Sequence, residues 1–200
     1  MGNLIVIVGS TGVGKTTLAR VLGRQSGFVT ALENHAHRPW QEAFKTDPRL
    51  AFHNQVDFLL YRIGQEQAIR ENADPGVMDG GLDMDFHGFS RLFAGHGWLT
   101  GPEFDLCRQL YTFARKYLPP PNLIIHLVAA QETIAKRLAA RSRINIASSE
   151  DSSLLDTYLQ EWLATLDQGK ILSLDVSLDD PEFRSFLPRI MDKINMLDGT

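Results

Sequence analysis

The first twenty residues combine an apolar run with a glycine-rich loop. Residues 4–8 read Leu-Ile-Val-Ile-Val, and a helical pattern starts close behind them at Lys15. A short apolar run rich in β-branched residues is typical of a buried strand in a parallel sheet. The loop between the two matches the pattern G-x-x-x-x-G-K-[ST], which specifies a strand, a phosphate loop and a helix in that order. Its defining residues are Gly9, Gly14, Lys15 and Thr16.

This loop predicts a site for a nucleoside triphosphate. Glycines allow the backbone to turn its N–H groups toward a polyphosphate, and the start of the following helix places partial positive charge beside the same anion. Lys15 is then expected to span the β- and γ-phosphates, while the Thr16 hydroxyl binds Mg²⁺. The residues predicted to bind the nucleotide are Gly9, Ser10, Thr11, Gly12, Val13, Gly14, Lys15, Thr16 and Thr17.

Composition places limits on the class of protein. A chain of 200 residues with 44% hydrophobic residues predicts a single globular domain over residues 1–200. A net charge of −4 gives no reason to expect a nucleic-acid partner. The single cysteine, Cys107, predicts core packing in a reducing compartment. Since no secretory signal or run of ~18–20 apolar residues is found, we expect a cytoplasmic protein without a membrane partner.

Predicted strands and helices alternate along the rest of the chain. Further strands are expected over 28–33, 77–79, 122–128 and 170–176, and helices over 48–72, 103–118, 131–140, 154–166 and 181–196. Alternation of this kind predicts three α/β/α layers, in which a five-stranded parallel sheet is covered by helices on both faces. The excess of helices between the third and fourth strands predicts a platform with room for a second substrate.

Two predicted strands end in carboxylates. Ligands of open α/β sheets bind beyond the carboxyl ends of the strands, so we expect Glu33 and Asp79 near the phosphate loop. Asp79 is predicted to hold Mg²⁺ or its water shell together with Thr16. The alternative for Glu33 is a solvated carboxylate at a strand end. For Asp83 and Asp85 the alternative is a solvated helix start, where negative charge is favourable.

Three arginines precede a polar stretch near the end of the 131–140 helix. Arg137 and Arg141 are four residues apart and share a helix face, and Arg143 follows them. One interpretation is a solvated basic helix end. The interpretation favoured beside a phosphate loop is a lid over residues 137–153 that neutralises charge on the transferred phosphoryl group.

These features together resemble the deoxynucleoside kinases, a branch of the P-loop nucleoside and nucleotide kinases, over nearly the whole chain. The phosphate loop is shared by many families, whereas the stretch from Asp47-Pro48 through Gln55 to Arg62 is more particular to this one. The other segments that carry the resemblance are Glu33, Phe58, Asp79, residues 121–127, the three arginines and Tyr158-Leu159.

The resemblance implies a P-loop kinase fold and ATP- and Mg²⁺-dependent phosphoryl transfer to the 5′-hydroxyl of a nucleoside. It implies that Glu33 is the general base and that Gln55 binds the edge of the nucleobase. Arg62 and Asp85 would help to recognise the base between apolar walls formed by Phe58 and Phe89. The long helix after Pro48 offers a surface for a homodimer.

The chain departs from the family pattern at three places. Asp79 is followed by Gly80-Gly81 where the family usually has Arg-Ser. Ile144-Asn145-Ile146 stands where an acid usually follows the last lid arginine. Phe44-Lys45 occupies the neighbourhood of a tyrosine that helps to hold the sugar.

Two other functions compete with a nucleoside kinase. A nucleoside monophosphate kinase of the thymidylate kinase type would need additional basic groups for the acceptor phosphate, and Gly80 supplies none. A nucleotide-binding regulatory protein without phosphoryl transfer is the alternative from a different class. A GTPase-type switch would need an Asn-Lys-x-Asp motif, and residues 44–47 read Phe-Lys-Thr-Asp instead.

Overall fold

The computed structural model describes residues 2–24, 28–31, 38–139, 149–178, 180 and 182–197, with the backbone alone at 149 and 150. Within these residues the five predicted strands form one parallel sheet in the order β2-β3-β1-β4-β5. Central β1 pairs on both sides, with Ile5 in register with Val77 and Leu123. The strands are β1 (Leu4–Val8), β2 (Val29–Ala31), β3 (Gly76–Asp79), β4 (Leu123–Val128) and β5 (Ile171–Asp175).

Helices follow or separate the strands throughout the described chain. The platform contains α6, which lies between β3 and β4 as predicted, and also α3, which lies between β2 and β3. The helices are α1 (Lys15–Gly23), α2 (Pro39–Thr46), α3 (Ala51–Arg70), α4 (Leu82–Met84), α5 (Arg91–Gly95), α6 (Gly101–Tyr117), α7 (Gln131–Ala139), α8 (Ser149–Ala164) and α9 (Leu187–Asn195). None of them, in the part of the chain described, has the length and apolar character needed to span a membrane.

Alternate residues of β1 pack on opposite faces of the sheet. Ile5 and Ile7 join a cluster with α1 and α9, through side chains such as Leu18 and Ile190. The other face is covered by α3, α4 and α8. Leu4, Val6 and Val8 pack there with Ile69, Met84, Leu155, Leu159 and Trp162. Because every residue of β1 is buried, the strand must be apolar along its whole length, and this confirms the predicted three-layer fold with a five-stranded parallel sheet.

A third cluster lies among the helices of the platform and includes Cys107, which is fully buried as predicted. Burial raises the pKa of its thiol to about 11. Arg115 joins α6 to α3 and α4 through ion pairs. Its guanidinium donates to Glu66 of α3 at 2.7 and 2.8 Å and to Asp83 of α4 at 2.7 and 2.9 Å. Tyr111 also donates to Asp83, at 2.8 Å.

At the start of the long helix the predicted N-cap is confirmed, but the predicted first residue is wrong. Asp47 accepts a hydrogen bond from the backbone N–H of Arg49, as expected of an N-cap before Pro48. The first turn, Pro48–Leu50, is a 3₁₀-helix, and the α-helix begins at Ala51. The predicted boundary was therefore early by one turn.

The last helix was predicted too long. It begins at Leu187, with Pro188 in its first turn, instead of at position 181. The preceding residues form a turn because Asp180 accepts hydrogen bonds from the backbone N–H groups of Arg184 and Ser185. This local capping competes with an earlier helix start.

The segment after α4 is a π-helix, Asp85–Ser90. In such a segment hydrogen bonds run from i to i+5, and its occurrence often marks a functional site. The carbonyl of Asp85 accepts from the Ser90 hydroxyl at 3.2 Å and from the Gln55 amide at 2.8 Å. Within the platform, α3 thus contacts this irregular turn through Gln55.

Candidate active site

The phosphate loop adopts the conformation that its glycines predict. Gly9, Gly12 and Gly14 all have positive φ, and Gly14 is the N-cap of α1. A Cβ at Gly9 would lie 2.4 Å from the carbonyl oxygen of Leu127, so only glycine fits there. Lys15 Nζ donates to the carbonyl oxygens of Gly9 at 2.8 Å and Ser10 at 2.9 Å. The lysine therefore folds over the loop that it is predicted to serve.

Asp79 and Thr16 come together as predicted. Asp79 ends β3, and its Oδ2 accepts a hydrogen bond from the Thr16 hydroxyl at the start of α1. The carboxylate is buried, and its Oδ1 has no hydrogen-bond partner in the described part of the chain. A buried carboxylate oxygen without a partner is costly unless an ion or water satisfies it. This pair is consequently suited to a hard cation such as Mg²⁺.

No group of three or more histidine, cysteine or acidic residues able to hold a metal occurs among the described residues. Mg²⁺ in nucleotide sites is usually bound through one or two side chains together with the substrate phosphates, and does not need such a cage. The two protein ligands offered by Thr16 and Asp79 fit that mode.

Three predicted substrate residues form one buried polar group on the platform. Gln55 Nε2 donates to the backbone oxygen of Asp85 at 2.8 Å, and Arg62 Nε donates to Asp85 Oδ2 at 2.8 Å. All three residues are at least 96% buried. The alternative of Asp85 as a solvated acid at a helix start is therefore wrong, and the same holds for buried Asp83, which pairs with Arg115.

Phe58 and Phe89, the predicted apolar walls, have different surroundings. Phe58 is buried on α3, and the guanidinium of Arg38 lies 4.8 Å above its ring. Arg38 also stacks on Tyr61 at 4.1 Å and donates to Asp57 Oδ2 at 2.6 and 2.9 Å. Phe89 is half-buried and packs against both the sheet-face cluster and the platform cluster. One face of Phe58 is thus already covered by the protein.

Arg137, the first of the predicted lid arginines, contacts the phosphate loop in the structure. Its guanidinium donates to the carbonyl oxygens of Val13 at 3.0 Å and Val176 at 2.8 Å. It links α7, the loop and the end of β5. A role on the transferred phosphoryl group remains a prediction. Glu33, Arg141 and Arg143 lie outside the described residues, as do positions 140–148 of the predicted lid.

Gly80 shows how the departure from the family pattern is accommodated. Its φ is +78°, and a Cβ built there would lie 3.0 Å from Arg62 Nη2. The guanidinium of Arg62 therefore occupies the space next to the position where the family usually has arginine. Only a residue without a side chain fits both the backbone conformation and this neighbour.

Two residues that interact with the predicted site residues were missed from the sequence. Arg38 gave no periodic or motif signal. Half-buried Asp156 of α8 lies close enough to Ser10 and Lys15 for both to act on the pKa of its carboxyl. Burial raises the pKa of Asp156 above its usual range, against the lowering effect of Ser10 and Lys15. The sequence signal that could have pointed to Asp156 is its position as an acid next to Leu155 in a helix predicted from its apolar residues.

The fold and the loop define the class first: an α/β protein with a phosphate-loop motif at the carboxyl end of its first strand. The family model for deoxynucleoside kinase matches residues 5–197. The chain therefore belongs to the deoxynucleoside kinase family, and it is an enzyme that transfers a phosphoryl group from a nucleotide donor to a deoxynucleoside. The monophosphate kinase and regulatory alternatives are not favoured.

Individual relatives agree with this family. The deoxyadenosine/deoxycytidine kinase of Bacillus subtilis (strain 168) is 28% identical over 179 residues, which cover 87% of this chain and 82% of the relative. The deoxyadenosine kinase of Dictyostelium discoideum is 31% identical over 143 residues, covering 71% and 58%. A structure of deoxyadenosine kinase from M. mycoides with bound dCTP has the same fold, with a TM-score of 0.79, 19% identity and coverage of 96% and 99%.

We predict that Gly80→Ala destabilises the protein by about 1–3 kcal/mol, since the left-handed conformation and the contact with Arg62 both oppose a Cβ. Urea unfolding measures the change. Gly97→Ala is the control for backbone strain alone, because Gly97 has φ +70° and open space around it. Gly64 lies in the interior of α3, and a Cβ added there would have no neighbouring atom within 4 Å, so Gly64→Ala should stabilise the protein by ~0.5–1 kcal/mol. Equal costs for Gly80→Ala and Gly97→Ala would remove Arg62 from the explanation.

Proposed function

We propose that the enzyme transfers the γ-phosphoryl group of ATP to the 5′-hydroxyl of a deoxynucleoside, with deoxyadenosine as the first candidate acceptor. The proposal rests on the buried group of Gln55, Arg62 and Asp85. This group lies on the same side of the sheet as α8, and Asp85 is only six residues beyond the end of β3. Both relatives quoted from the sequence comparison are named for deoxyadenosine.

In this proposal the donor binds along the phosphate loop. The N–H groups of the loop and the positive end of α1 hold the phosphates, and Lys15 exchanges the carbonyls of Gly9 and Ser10 for phosphate oxygens. Thr16 and Asp79 hold Mg²⁺. When bound there, Mg²⁺ neutralises developing charge on the phosphates.

The acceptor side is proposed to bind the base on the platform. Gln55 has used one amide N–H on Asp85, which fixes the orientation of the amide and leaves an oxygen and a second N–H for a base edge. Arg62 and Asp85 hold each other beside it. Because Arg38 covers one face of Phe58, the base would stack on the other face or against Phe89.

Glu33 is proposed to accept the proton of the 5′-hydroxyl as its oxygen attacks the γ-phosphorus and ADP leaves.

Arg137, Arg141 and Arg143 are proposed to belong to a lid over residues 137–153 within a single domain. Arg137 would have to release the carbonyls of Val13 and Val176 to contact phosphate. We keep a cytoplasmic location and the lack of nucleic-acid and membrane partners as predictions.

The acceptor is tested with purified protein, Mg-ATP and a panel of deoxynucleosides, ribonucleosides and monophosphates. We expect deoxyadenosine to release ADP well above the rate without acceptor, because phosphoryl transfer consumes ATP only when a hydroxyl is aligned with it. Lys15→Ala should return ADP release to background. A rate at the no-acceptor level for every compound would contradict the proposal.

The role of Glu33 is tested by Glu33→Gln. We expect kcat to fall by ~10²–10⁴, the range for loss of a general base, while ATP binding measured by calorimetry persists. Glu42→Gln is a matched control, since Glu42 is an exposed acid on α2. An unchanged kcat in Glu33→Gln would exclude Glu33 as the base.

A homodimer through α3 and α6 is also proposed. These helices expose Leu60, Leu106, Phe113 and Tyr117, each more than half accessible, and the last three share one side of α6. Exposed apolar stripes of this kind are typical of subunit interfaces.

We expect light scattering after size exclusion to give the mass of a dimer, and the double variant Phe113→Ser/Tyr117→Ser to give a monomer with unchanged secondary structure. Leu178→Ser removes a leucine that is still more exposed, at 78%, and lies outside these helices, so it should leave the mass unchanged. A monomeric parent protein at micromolar concentration would contradict the proposed interface.

A further inference from the structure

The turn before α9 contains a residue in an unfavourable backbone conformation. Phe183 has a φ of +52°, and no other non-glycine residue in the described part of the chain has a positive φ. Glycine or asparagine adopts this left-handed conformation at a lower cost than a bulky side chain does. Outliers of this kind persist only where the surrounding structure enforces them, and they cluster at functional sites. A phenylalanine at this position therefore needs an explanation.

The hydrogen bonds of the turn hold the backbone of Phe183 but do not require its ring. The carbonyl oxygen of Asp180 accepts from the Phe183 N–H at 3.0 Å, and the Asp180 carboxylate accepts from the backbone N–H of Arg184 at 3.0 Å. The carbonyl oxygen of Phe183 accepts from the N–H groups of Phe186 and Leu187, both at 3.0 Å, where α9 begins. Because these contacts use only the backbone at position 183, the reason for an aromatic residue lies elsewhere.

The ring of Phe183 packs against the phosphate loop. Phe183 is 4% exposed and belongs to the same cluster as Val13 and Ile190. A Cβ built on Gly14 would lie 3.2 Å from Phe183 Cζ and 3.9 Å from Cε2, so the far end of the ring fills the space that a side chain at Gly14 would take. Since the ring is buried, it acts on the loop and not directly on a ligand.

Gly14 is the residue at which the loop passes into α1. It is the N-cap of this helix, has a φ of +117° and makes no side-chain cap. Its carbonyl oxygen accepts from the Leu18 N–H at 3.0 Å, which fixes where the first turn of α1 begins. The free N–H groups of a first turn are the groups that bind phosphate at a helix start. A shift of Gly14 would therefore turn these N–H groups away from their present direction.

We propose that Phe183 is a positioning residue of the donor site, whose ring holds Gly14 in place and thereby sets the direction of the phosphate-binding N–H groups at the start of α1. The unfavourable φ is retained because it directs the ring at the loop. This inference rests on the proposed function in one respect, that the loop binds the donor phosphates.

The test changes the length of the side chain at position 183 in both directions. Phe183→Leu lacks the ring atoms that lie next to Gly14, and Phe183→Tyr adds an oxygen to Cζ, the nearest of them. We expect each variant to raise the Kd for Mg-ATP, measured by isothermal titration calorimetry, by ~10-fold, as for weakening of a charge-assisted hydrogen bond to phosphate. The Kd for Mg-tripolyphosphate should rise by the same factor, because only phosphate binding is altered.

Phe186→Leu is the matched control. Phe186 belongs to the same turn, its ring centroid lies 6.3 Å from that of Phe183, and it packs against the same cluster. None of its atoms lies within 4 Å of a Cβ built on Gly14. Its substitution should lower the thermal midpoint through lost packing and leave both Kd values within about twofold of the parent protein. This control separates a loss of core packing from a change in the geometry of the loop.

Unchanged binding of Mg-ATP by a folded Phe183→Leu or Phe183→Tyr would overturn the inference, and so would an equal loss of affinity in Phe186→Leu. Weaker binding of Mg-ATP with unchanged binding of Mg-tripolyphosphate would also overturn it, since Phe183 would then act on the nucleoside part of the donor. The binding experiment needs no turnover. An enzyme that phosphorylated no nucleoside would therefore refute the proposed function while the two affinities still decided the role of Phe183.

Discussion

The proposed acceptor side of the site depends on the placement of Arg115 between two buried carboxylates. Glu66 belongs to α3, which also carries Gln55 and Arg62, and Asp83 belongs to α4, which leads directly into the π-helix that begins at Asp85. One guanidinium therefore sets the separation of these two elements. A buried ion pair of this type contributes little net stability, but loss of one member leaves an uncompensated charge at a cost of about 3–5 kcal/mol. The three charged side chains therefore add little to the free energy of unfolding, but a platform geometry that separated them would be costly.

The donor side is held by different means. Thr16 and Asp79 join α1 to β3, and Arg137 of α7 donates to the loop carbonyl at Val13. Separate elements thus converge on a loop whose glycines permit its shape but do not by themselves select it. Polar contacts from outside the motif supply that selection.

The sequence predicted the parts of the fold that follow from local pattern. The strands β1, β3 and β4 were found because their apolar runs are buried on both faces, and Asp47-Pro48 marked a true cap. The boundaries failed where side chains compete with the helix, as Asp180 does before α9. The π-helix at Asp85–Ser90 had no signal in hydrophobic periodicity.

Contacts in the site were likewise predictable only where they follow from local pattern or strand order. The pairing of Thr16 with Asp79 followed from strand topology, because parallel strands end at one edge. The contact of Arg137 with Val13 depends on how α7 packs against a loop more than 120 residues earlier, and no local pattern encodes such a distance. The burial of Asp83 and Asp85 likewise depended on partners, Arg115 and Arg62, that lie far away in the chain.

The π-helical turn places a constraint on chain length. Each residue advances a helix by about 100°, so removal of one residue between Asp85 and Ser90 would restore ordinary α-helical winding and rotate Phe89 away from its present direction relative to Asp85. Everything as far as α5 would turn with it. Evolution of this segment can therefore exchange side chains freely only while it conserves the number of residues.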